Sequence, residues 1–91
     1  MPLAVEDMAR IDALVATLGT GADATTVAYA LQRLVPSLAL RRCDAADVLE
    51  LPFRSLGTCD LHLLDVSGHC IRVTDAPDET SGILIAERTI T

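Results

Sequence analysis

The chain has no lysine, no asparagine and no tryptophan, and its 91 residues include one tyrosine and one phenylalanine. So few rings leave no stacking platform of the kind that holds single-stranded nucleic acid. All seven cations are arginines, set against thirteen carboxylates for a net charge of -6. Such a surface repels a phosphate backbone, and the pair Arg41 and Arg42 is too short to act as a basic patch, so no nucleic-acid partner is expected. Long apolar runs are missing too. Nothing approaches the ~20 residues that a membrane helix needs, and no membrane partner is expected.

Cysteine is sparse and odd in number. Cys43, Cys59 and Cys70 do not space out as a disulfide framework, which points to reduced thiols in the cytoplasm. The opening "MPLAVEDMAR" carries acids where an export signal carries bases, which supports the same location.

What remains is aliphatic. Hydrophobic residues make up 51% of the sequence, enough to exclude a disordered chain. One domain over residues 1–91 is expected, with a small core of Leu, Val, Ile and Ala. Pro2 opens a helix over residues 3–18, with Val5, Met8, Ile11, Val15 and Leu18 at helical spacing and Gly19 as its cap. Asp23 caps a second helix that reaches Leu34 and is ended by Pro36. "LALRRC" at 38–43 reads as a strand, and "DAADVLE" at 44–50 as one or two helical turns that end near Pro52. "TCDLHLLD", "HCIRVT" and "GILIAERTI" then read as strands. The fold class is α+β: an N-terminal helical hairpin packed on one face of a three- to four-stranded antiparallel sheet.

The stretch "DVSGHCIR", residues 65–72, gathers an aspartate, a histidine and a cysteine about one turn. "VSG" suits a three-residue loop with Gly68 left-handed, which would pair Asp65 with His69, Leu63 with Ile71 and Leu61 with Val73. Asp65 is also placed to accept N–H groups within the loop. As metal ligands, Cys59, His62, His69 and Cys70 have suitable donors but a non-standard spacing, and neighbours on a strand point to opposite faces. As a thiol catalyst, Cys70 could use His62 as base and Asp60 to orient it, yet no oxyanion-binding nest accompanies them. Asp75, Asp78 and Glu79 do not match a calcium loop. No catalytic residue and no cofactor is therefore assigned, and the chain is read as a non-enzyme.

"GILIAER" alternates apolar residues onto both faces, so both faces of that strand need cover. The surface expected to bind a protein partner, or a second copy in a homodimer, is the sheet face with Leu64, Cys70, Arg72, Leu84 and Ala86. The alternative is a metal- or redox-handling protein built on the Cys59–Cys70 hairpin.

Residues 63–87, "LLDVSGHCIRVTDAPDETSGILIAE", resemble a small uncharacterised protein family encoded in nitrogen-fixing proteobacteria. The similarity lies in a D-x-S-G-H-C hairpin (Asp65, Ser67, Gly68, His69, Cys70), a T-D pair (Thr74, Asp75) and a closing G-x-x-x-A-E strand (Gly82, Ala86, Glu87). The resemblance implies a gene context near nitrogenase genes and brings no activity with it.

Overall fold

The structure, a computed structural model, describes residues 4–18, 21–68 and 71–88. Gly19, His69 and Cys70, which figure in the sequence reading, lie outside the described residues.

Helix α1 is Val5–Leu18 and helix α2 is Ala24–Leu34. Glu6 and Asp7 sit in the first turn of α1, where the helix dipole favours negative charge. The buried stripe of α1 runs through Ile11 and Leu14, while Val5 is left exposed. At α2 the cap expected from sequence is present: Asp23 accepts the Thr26 N–H at 2.8 Å. Val27, Leu31 and Val35 bury the α2 stripe, and Thr58 Oγ1 donates to the Ala22 carbonyl to tie the inter-helix linker to the sheet.

Five strands follow: β1 (Ala39–Asp44), β2 (Arg54–Ser55), β3 (Cys59–Asp65), β4 (Arg72–Thr74) and β5 (Gly82–Glu87). Their order is β1-β5-β3-β2, with β4 also paired to β3. Two expectations are corrected here. The sheet has five strands, and it is mixed, because β1 runs parallel to β5 while the other pairs are antiparallel. The α+β class and the two-helix layer on one face stand.

The helix-facing side of the sheet carries Cys59, Leu61, Leu63, Ile83 and Ile85, which close the main core with the two helices. The opposite side carries His62, Leu64, Leu84 and Ala86, since directly paired residues share a face. Gly82 is required on this side: a Cβ there would come within 2.8 Å of the Ala39 carbonyl oxygen. Because β1 and β2 point the same way from opposite sides of β5 and β3, the connection over residues 45–53 must cross a face. It crosses the side away from the helices, where Val48 and Glu50 line a cleft with Leu64 and Leu84. We call residues 45–53 the strap. Asp44 caps its first turn, Ala45–Asp47, through the Ala46 N–H at 2.9 Å. At its far end Arg54 grips Asp12 of α1 through two hydrogen bonds of 2.5 and 3.3 Å. Among the described residues, no helix is long and apolar enough to cross a membrane.

Candidate functional site

The β3–β4 hairpin does not take the expected register. Asp65 pairs with Arg72, Leu64 with Val73 and Leu63 with Thr74, so six residues of chain separate the closing pair, where the expected register left three. The new register changes parity, which moves Val73 off the helix side and sets it beside Leu64 on the strap side. Local hydrogen bonds account for the longer loop. Asp65 Oδ1 accepts the Ser67 N–H at 3.0 Å and the Ser67 hydroxyl at 2.5 Å, while Oδ2 accepts from Arg72 at 3.1 Å. The Val66 N–H reaches Ser81 Oγ at 2.8 Å. Hydrogen bonds from the Ser67 hydroxyl and N–H, then from Arg72, lower the Asp65 carboxyl to about 2. Asp65 thus accepts loop N–H bonds as expected, but its cross-strand partner is Arg72. Ser67 and Gly68 form the exposed tip.

Of the metal-ligand set, Cys59 and His62 lie among the described residues, and they sit on opposite faces of the sheet. Cys59 is fully buried in the main core, and burial first of all raises its thiol above the ordinary value. His62 lies on the strap side, 2% exposed, with Nδ1 buried and without a hydrogen-bond partner among the described residues. Two residues on opposite sheet faces cannot share one ion. Among the described residues, no group of three or more His, Cys, Asp or Glu is placed to hold a metal. Asp60, proposed from sequence to orient His62, is held instead by Arg88, which also donates to the Leu56 carbonyl. Glu79 faces Arg72 at 3.5 Å.

The surface expected from sequence is also rearranged. Leu64 and Ala86 are 2% and 0% exposed, so they form a second, smaller buried layer rather than an open face. Leu84 is half-buried and Arg72 is exposed. The cover comes at least partly from the chain's own strap.

That cover is incomplete. Two clefts, of about 360 Å³ and about 510 Å³, flank the strap and meet at Glu50 and Val73. The smaller has an apolar floor of Cys43, Leu64, Val73 and Leu84, with Ile71 at its lip and Arg41 and Asp47 on its rim. The larger runs past Leu51, Arg72, Asp75 and Glu79. Beside them, Leu49 and Leu51 are 93% and 91% exposed and Ile71 is 51% exposed. Cys43 is no activated thiol: burial, then the nearby charges of Asp47 and Asp44, raise its pKa.

Sequence reasoning missed Leu49, Leu51 and Ile71. The signal was available in "DVLELP": the residue before a proline is driven out of helical geometry, so the alternation V-L-E-L belongs to extended chain. Val48 and Glu50 then line the smaller cleft, and the two leucines are left exposed, Leu51 at the edge of the larger cleft.

A family model matches residues 13–88. The chain belongs to DUF6129, a family of unknown function. The DUF6129 match takes in α2, all five strands and the whole strap. No curated protein and no solved structure matches the chain.

Proposed function

We propose that this chain is a non-enzymatic, cytoplasmic protein-binding module that docks a partner on the strap and its two flanking clefts. The observation that carries the reading is the near-complete exposure of Leu49 and Leu51 on a strap that leaves an apolar floor partly open. Scattered surface leucines need no explanation, but two leucines one residue apart, beside Ile71 and a continuous groove, form a patch. The non-enzymatic part is supported by the raised pKa values of Cys43 and Cys59 and by the engagement of Asp65 and Asp60 in ion pairs. The resemblance of residues 63–87 to proteins of nitrogen-fixing bacteria supports a role accessory to nitrogen fixation.

The test is a peptide-display selection on the wild-type chain, with the Leu49→Ser/Leu51→Ser variant as the depletion step. Burying one leucine contributes about 1.5–3 kcal/mol. Losing two therefore costs about 3 kcal/mol or more, at least about a hundredfold in affinity. Peptides that bind the wild type and lose that much on the variant are the expected result. Enrichment that is equal on both proteins would sink the reading.

A further inference from the structure

We infer that the segment captured in this groove is a basic, amphipathic stretch of a different protein, with Arg or Lys interleaved among apolar residues. This rests on the docking reading above and adds the chemistry of the partner.

The charges that line the groove decide the sign. Four carboxylates (Asp47, Glu50, Asp75 and Glu79) stand against two guanidiniums, Arg41 and Arg72. The Arg72 cation is already committed, to Asp65 at 3.1 Å and to Glu79 at 3.5 Å. Arg41 donates to its neighbour, the Leu40 carbonyl, at 2.9 Å. The groove keeps a net negative charge on a chain that is itself at -6. A negative groove speeds the encounter with cationic segments and disfavours anionic ones.

The spacing decides the pattern. Glu50 lines both clefts, Leu51 lines the larger one and Leu49 stands in solvent beside them, so one acid lies between two exposed apolar groups along the strap. Apolar residues of a partner would cover the leucines and Ile71, and its cations would reach Glu50 and Asp75.

Other occupants meet the same field. A second copy, the homodimer expected from sequence, would bring one net-negative groove against another. An anionic lipid surface or a nucleic acid would be repelled outright.

The display selection is read for composition as well as for strap dependence. Peptides that need Leu49 and Leu51 are expected to be enriched in Arg and Lys. One synthesised peptide from that pool should lose about tenfold in affinity when a central Arg or Lys becomes alanine. It should also weaken with rising salt, and weaken on Glu50→Gln/Asp75→Asn. The peptide alanine scan uses the unaltered protein, so it stands even if the double variant misfolds. Strap-dependent peptides that are neutral or acidic would overturn this inference and leave the docking reading intact. Failure to find any strap-dependent peptide would overturn both. A micromolar dimer dispersed by Leu49→Ser/Leu51→Ser would also overturn it, by making the partner a second copy.

Discussion

Replacing His62 with leucine is expected to stabilise the fold, against the usual direction of a core substitution. The imidazole is 2% exposed, and its Nδ1 has no hydrogen-bond partner among the described residues. Its neighbours on the strap side are mostly apolar: Leu84 lies directly opposite, Leu64 two residues along the strand, and Gly82 and Ala86 on the diagonals, while Asp60, two residues back, is held by Arg88. An unsatisfied buried polar atom costs about 1–3 kcal/mol. A leucine of roughly the same bulk removes that cost and adds apolar burial, while imperfect shape gives back up to about 1.5 kcal/mol. The net expectation is about 1 kcal/mol of added stability. For a domain of this size that raises Tm by about 4–8 °C, measured by thermal and urea denaturation. His62→Ala, which opens a cavity at the same place, should lower it. A His62→Leu protein that melts below the wild type would refute the reasoning, because it would mean the imidazole is satisfied and stabilising.

Other substitutions test separate parts of the structure. Gly82→Ala should destabilise by about 1–3 kcal/mol, since its Cβ meets a backbone oxygen of β1 at 2.8 Å; an unchanged urea midpoint would contradict the close packing of β1 on β5. Leu49→Ser/Leu51→Ser should leave stability within about 0.5 kcal/mol of wild type, because both side chains are already in water. Asp65 has a folded pKa lowered from 3.8 to about 2, so its contribution is present above pH 4 and is lost as pH falls toward 2. Asp65→Asn should therefore be less stable than wild type at neutral pH, and the difference should close as pH falls through about 2. A gap between the two proteins that does not depend on pH would argue against the Ser67 and Arg72 contacts.

The parts of the fold that follow from local chemistry were legible in the sequence. Both helices appeared in their stripes, Asp23 announced its cap, and Asp44 announced a turn. The parallel placing of β1 beside β5 was not legible, because alternation reports which face a residue takes and says nothing about strand order. The hairpin register failed for a related reason. Leu63 and Leu64 are adjacent apolar residues, so β3 offered two possible core faces, and the polar His62 made one of them look like solvent. In the structure both faces are covered, one by helices and the other partly by the strap, and Leu64 with Val73 belongs to the second. Leu64, Leu84 and Ala86, read from alternation as one face, do share the side of the sheet that the strap crosses. The residues that finally expose apolar area there, Leu49 and Leu51, were hidden by a helical reading of "DVLE".

Whether a partner docks on the strap and its clefts can be read from an amide chemical-shift map. A strap-selected basic peptide would be titrated into isotope-labelled protein. The expected perturbations gather on residues 47–51, on Leu64, on residues 71–75 and on Leu84, with α1 and α2 unmoved. Shifts centred on the helices, or spread evenly over the molecule, would contradict docking there.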